Sequence, residues 1–153
     1  MRTIRAGRRK KTKPFPVIFQ QQRNDCGIAC MKMIASYYDP VLKDFDFTSV
    51  AEPGKSGLTM ETMETMAAKA GLNLCGVKLT VNQLCRKKSL PAIILLAGQH
   101  YTLIPPGQKS GHLIRMIDPA VGLVFISESS LARRWYTDYE GRRGYALIFN
   151  KRV

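Results

Sequence analysis

A thiol attacks a carbonyl only as the thiolate, and its ordinary pKa of about 8.5 can fall to roughly 3.5 to 7.5 at a helix N-terminus beside an imidazolium. Cys26 has that position. Asp25 precedes a segment in which Ile28, Met31, Ile34, Ala35 and Tyr38 recur at helical spacing, and Asp39-Pro40 closes it, which predicts a helix over Cys26–Tyr38. Gly27 would let a substrate backbone approach closely, and the first-turn amides would supply positive potential to the sulfur and to a developing oxyanion. A single cysteine is more often a buried apolar thiol. Cys30, one turn further into the same helix, is read that way, as are Cys75 and Cys85. Zinc would call for paired ligands such as C-x2-C, and the sequence contains none, so neither metal nor cofactor is expected.

A base for Cys26 must be a histidine, and the chain has only His100 and His112. They flank one predicted hairpin. A register opposing Ile104 to His112 sets His100 against Met116 with Asp118 diagonal to it; one hydrogen-bonded step away, His100 opposes Asp118 directly. Both registers keep imidazole and carboxylate on one face, about 4.5 to 8 Å apart, whereas an odd register would separate them. His112, next to the loop, reads as a surface or edge residue. Acyl transfer also needs donors for the tetrahedral oxyanion, and Gln20, six residues before Cys26, can bring its side-chain amide to the same point as the Cys26 N–H. Its neighbours Gln21 and Gln22 keep open the reading of an ordinary polar loop.

The elements that must position these groups follow from pattern. Residues 40–58 read as a long connection with a short helical turn near Phe47 to Ala51. Thr59 caps a second helix whose Met60, Met63, Met66, Ala67 and Ala70 share a face and which ends at Gly71; such a methionine stripe is more often core than binding surface. A strand over Asn73–Leu79 and a brief helix from Thr80 through Arg86 come next. Strands are then expected over Ala92–Leu96, Tyr101–Ile104, His112–Ile117, Leu123–Ser127 and Tyr145–Phe149, with a helical turn over Glu128–Trp135. Helices first and strands afterwards, without regular alternation, predict an α+β architecture in which a helical N-terminal part packs on a C-terminal antiparallel sheet.

The chain of 153 residues fits one domain, with 45% apolar and 23% charged residues, near the averages for soluble globular proteins. Its formal net charge of +13 is concentrated at the start, where Arg2, Arg5, Arg8, Arg9, Lys10, Lys11 and Lys13 crowd together. A disordered basic tail is expected over residues 1–14 and the domain over 15–153. The tail could touch an anionic membrane. Nucleic-acid binding is not expected, because the aromatic residues fall within apolar strands and helices rather than between basic ones. No apolar run approaches the ~20 residues of a membrane span, and the segment after Lys13 is too short for a secretory signal, so a cytoplasmic location is expected.

The stretch QQQRNDCGIACMKMIASYY (Gln20–Tyr38), with GQHYTLI (Gly98–Ile104) and IDPAVG (Ile117–Gly122), resembles the double-glycine leader peptidases that process bacteriocins. The similarity runs from about Val17 to Phe149, through LPAIILL and the final GYALIF. It implies a papain-like fold, with Cys26 as nucleophile, His100 as general base and acid, Asp118 as its orienting partner and Gln20 as oxyanion donor. It also implies a peptide substrate cut after Gly-Gly or Gly-Ala, and association with a membrane ABC exporter of which such domains usually form the N-terminal part. The sequence has no G-x-x-x-x-G-K-[ST] phosphate loop of its own. It departs from the family pattern at Ile28, at Asp39-Pro40 and in TDYEGRRG before the last strand. Two other readings stay open: a papain-like hydrolase or toxin acting on another amide, and a non-catalytic domain that only holds leaders for an exporter.

Overall fold

The computed structural model describes residues 14–109 and 111–149. The basic tail expected over residues 1–14 lies, apart from Pro14, outside them. Helix α1 spans Cys26–Tyr38, and Cys30, Met31, Met33, Ile34 and Ala35 along it have no exposed surface. Its end is set as Asp39-Pro40 suggests: the Asp39 carboxylate accepts from the Val41 N–H and a 3-10 turn follows over Pro40–Asp44. A second 3-10 turn covers Phe47–Ser49. Helix α2, Met60–Lys69, starts where the Thr59 hydroxyl accepts from the Thr62 N–H at 3.1 Å. It stops at Gly71, whose φ of 85° is the left-handed conformation that glycine adopts without strain. Met63 and Met66 are fully buried, so the methionine stripe is core.

The remaining elements are β1 (Leu74–Leu79), α3 (Val81–Leu84), a 3-10 turn over Lys87–Ser89, β2 (Ala92–Leu96), β3 (His100–Ile104), β4 (Ile114–Asp118), β5 (Gly122–Ile126), α4 (Glu128–Trp135) and β6 (Gly144–Phe149). The brief helix expected to run from Thr80 through Arg86 is shorter: a capping box between Thr80 and Gln83 starts it, and it ends at Leu84. The strands form one six-stranded sheet in the order β1-β6-β2-β3-β4-β5, each neighbouring pair antiparallel. Alternation along the strands feeds two cores. On one face Ile93, Tyr101, Leu103 and Leu147 meet α1 and α2; on the other Ile94, Ile104, Met116 and Ala146 meet Leu84, Leu131 and Trp135. The sheet is thus covered on both faces, with the later helices α3 and α4 forming the second layer. In the TDYEGRRG stretch the Asp138 carboxylate accepts from the Arg142 and Arg143 N–H groups at 2.8 and 3.0 Å and folds the loop on itself.

Candidate active site

Four pieces of chain converge on Cys26. It sits on the first turn of α1 with 5% of its surface exposed. Strand β3 lies against that helix and brings two groups: the Tyr101 N–H, 3.4 Å from Cys26 Sγ, and the His100 imidazole, which hydrogen-bonds the thiol. The hairpin partner β4 ends at Asp118, and His100 Nε2 lies 2.8 Å from Asp118 Oδ1. With Nε2 engaged there, Nδ1 is the ring nitrogen left for the sulfur. The same carboxylate oxygen accepts from the Ala120 N–H at 2.9 Å, which fixes it at the turn between β4 and β5. The loop Gln20–Asp25 closes the group, and its Gln20 N–H donates to the Pro119 carbonyl at 2.9 Å.

The β3–β4 register differs from both expected ones by a further even step: Leu103 stands opposite Ile117, so His100 and Asp118 are again diagonal, now across the other diagonal. In this register Arg115 falls opposite Pro105, and Gln108 takes the place of a strand partner. Its side-chain amide accepts from the Arg115 N–H at 3.1 Å and donates to the Arg115 carbonyl at 3.0 Å, taking both groups that a strand residue would pair. Pro105 and Pro106 have no N–H to offer. The strand begins at Ile114, where its pairing with β5 starts opposite Ile126, rather than at His112, and His112 stays exposed in the turn. Because the shift is even, the shared face survives.

Burial opposes ionisation of the Cys26 thiol, but the His100 hydrogen bond, the Tyr101 amide, the imidazolium charge and the Gly27 amide together hold its pKa below the ordinary range. His100 moves the other way, up to about 9: its hydrogen bond to Cys26 raises it most, burial lowers it, and the bond and charge of Asp118 raise it further. Each partner stabilises the charged form of the other, which favours a thiolate–imidazolium pair. Burial pushes Cys30 well up, leaving it a neutral core thiol, and raises Cys85 as well. Among the described residues no group of His, Cys, Asp and Glu could hold a metal ion, and no helix is long and apolar enough to cross a membrane.

Gln20 is close to the site, half-buried, with its Nε2 donating to the Gln22 carbonyl at 2.8 Å and lying 3.5 Å from the Arg23 carbonyl. Its amide nitrogen thus donates to two carbonyls of its own loop. The Tyr101 N–H and the Pro119 carbonyl are not foreseen from sequence, because backbone groups carry no residue-type signal. A groove of about 460 Å³, lined by none of Cys26, His100, Asp118 and Gln20, runs between Phe15, Val17, Pro105, Pro106, Ile117 and Leu123. Phe19 and Phe125 are exposed, Phe19 packing against Gly122.

The model of the Peptidase C39 family matches residues 14–152. A protein of Mycoplasma pneumoniae named as an ABC transporter ATP-binding MG390 homologue is 27% identical over 88% of this chain, and the chain spans only 19% of that relative's length. Among solved structures, a double glycine motif protease from an AMS/PCAT transporter, in complex with the leader peptide, is 25% identical with a TM-score of 0.69, covering 88% of this chain and 89% of its own. The peptidase domain of Streptococcus ComA, described as a bifunctional ABC transporter in a quorum-sensing pathway, is 18% identical with a TM-score of 0.70, covering 89% and 98%. The fold is the papain-like one that these domains share, with its helices and antiparallel six-stranded sheet.

Proposed function

The chain belongs to the peptidase C39 family, and from that premise we propose that it is a cysteine endopeptidase that cuts the leader from a secreted peptide, a bacteriocin or signalling peptide, after a Gly-Gly type pair. The observation that carries this reading is the continuous chain of contacts from Cys26 through His100 to Asp118, the last of them 2.8 Å long. In the reaction the Cys26 thiolate adds to the scissile carbonyl carbon and the oxygen becomes an oxyanion. His100 gives its proton to the leaving amine as the C–N bond breaks and a thioester remains. His100 then takes a proton from water, which attacks the thioester and releases the leader acid. Asp118 keeps the imidazole turned toward the sulfur throughout. The Cys26 N–H and the Gln20 amide act as oxyanion donors, each worth roughly 10²- to 10³-fold in rate.

The similarity to a named ABC transporter protein and to transporter peptidases supports a place beside an exporter. The positive charge of residues 1–14 is what favours their contact with anionic lipid at the inner face of the membrane. Incubation with a Gly-Gly leader peptide, read by mass spectrometry, tests the reading. The wild-type chain should cut once, after the small pair, and Cys26→Ala should not cut. Equal cleavage by the variant would overturn the mechanism, cleavage elsewhere would overturn the specificity, and tight binding without turnover would leave a holding domain instead.

A further inference from the structure

Asp25 stands at the N-cap of α1, where an aspartate ordinarily accepts an N–H from the first helical turn. Here it makes no such bond. Its carboxylate turns back onto the preceding loop instead: Oδ1 accepts from the Gln22 N–H at 3.0 Å and Oδ2 from the Gln21 N–H at 3.3 Å. The Asp25 N–H itself points at the Gln22 carbonyl, 3.5 Å away. That carbonyl is the acceptor for Gln20 Nε2 at 2.8 Å. The other end of the Gln20 side chain, Oε1, is buried without a hydrogen-bond partner. The orientation of this amide therefore depends chiefly on the Gln22 carbonyl, with the Arg23 carbonyl a longer second acceptor at 3.5 Å, since a flipped amide would set two oxygens against each other.

We propose that Asp25 is a positioning residue for the oxyanion site: by gripping two successive backbone amides it fixes the Gln22 carbonyl, which in turn aims the Gln20 amide. Turning away from the helix has a second effect. The first-turn N–H groups of α1, including that of Cys26, are left without a side-chain cap and can serve an oxyanion. Hydrogen bonds to an ionised carboxylate are about twice as strong as neutral ones, which suits a clamp on an exposed loop. The inference rests on the reading of Gln20 as an oxyanion donor, and the experiment separates the two.

Steady-state cleavage of a Gly-Gly leader peptide is measured for the full chain and for Asp25→Ser, Asp25→Asn, Gln20→Ala and the Gln20→Ala/Asp25→Ser pair. Serine is itself a good N-cap, so Asp25→Ser keeps the helix start while losing the two-amide grip. Its kcat should fall by about tenfold or more with KM within about twofold, the pattern of a contact made only in the transition state. Asn retains one neutral acceptor oxygen and should recover only part of the rate. The double variant should be no slower than Gln20→Ala alone. Alkylation of Cys26 by iodoacetamide, which needs the thiolate but no oxyanion donor, should be unchanged in every single variant. An Asp25→Ser kcat equal to wild type, losses that multiply in the double variant, or slowed alkylation would each overturn the proposal. A wild-type rate for Gln20→Ala would remove Gln20 as a donor and the proposal with it, while leaving the Cys26 and His100 assignment standing.

Discussion

An imidazole ordinarily titrates near 6.5, and at position 100 it is pushed up to about 9, the largest cause being the hydrogen bond to Cys26. A raised histidine pKa keeps the proton on the ring through neutral pH and loses it as pH climbs through about 9. The depressed Cys26 thiol sets the opposite limb, because the thiolate is lost as pH falls below its folded pKa. The pair titrates as a unit, so kcat/KM should trace a bell whose alkaline limb lies near 9. In Cys26→Ala the main cause is gone, and the His100 ring signal followed by NMR should titrate lower than in the wild type, still raised somewhat by Asp118. An alkaline limb near 6.5, or a ring pKa indifferent to the thiol, would separate His100 from Cys26. Cys26, His100 and Asp118 are legible in the amino-acid sequence because each requires only a residue type, a helix start and an even strand register. The use made of Asp25 is not: an N-cap aspartate that faces away from its helix looks, in sequence, like one that caps it.

Gly144 opens β6, and a Cβ built there would overlap the indole of Trp135, whose Nε1 donates to the Tyr145 carbonyl at 2.9 Å. Trp135 has no exposed surface and no space to yield. Gly144→Ala should therefore cost about 1 to 3 kcal/mol of stability, as overpacking of a close-packed core does, and should lower the midpoint of urea unfolding without changing its slope. A variant as stable as the wild type would show that α4 can slide on the sheet. The same element scale explains which parts of the fold are legible. The end of α1 and both ends of α2 fall where Asp39-Pro40, Thr59 and Gly71 place them, since caps and left-handed glycines act locally. Strand β4 starts two residues later than its pattern predicts, where its pairing with β5 begins, and Gln108 supplies a side chain to Arg115 where a backbone partner is expected, a use of which a single glutamine in a Gly- and Pro-rich loop gives no sign. The second helical layer is hard to foresee for a related reason: Glu128–Trp135 is short and charged, and only Leu131 and Trp135 reveal its buried side.

At the scale of the whole molecule, one sheet serves two cores, and β2 and β6 supply both by alternation: Ile93 and Leu147 to the α1 face, Ile94 and Ala146 to the α4 face. Neither core can melt without stripping side chains from strands the other needs, so the domain expected over 15–153 should unfold in a single transition. The chain carries its own probes for this. Its one tryptophan, Trp135, lies in the α4 core, whereas Cys26 belongs to the α1 core. Unfolding by urea followed through Trp135 fluorescence and through the accessibility of Cys26 to alkylation should give the same midpoint. Leu131→Ala, which empties space in the α4 core only, should cost about 2 to 5 kcal/mol and move both midpoints together, while the folded variant keeps its kcat. Midpoints that separate, with Cys26 still protected after Trp135 is exposed, would divide the chain into two cooperative units. The sheet would then be the floor of the site rather than a frame shared with the opposite layer.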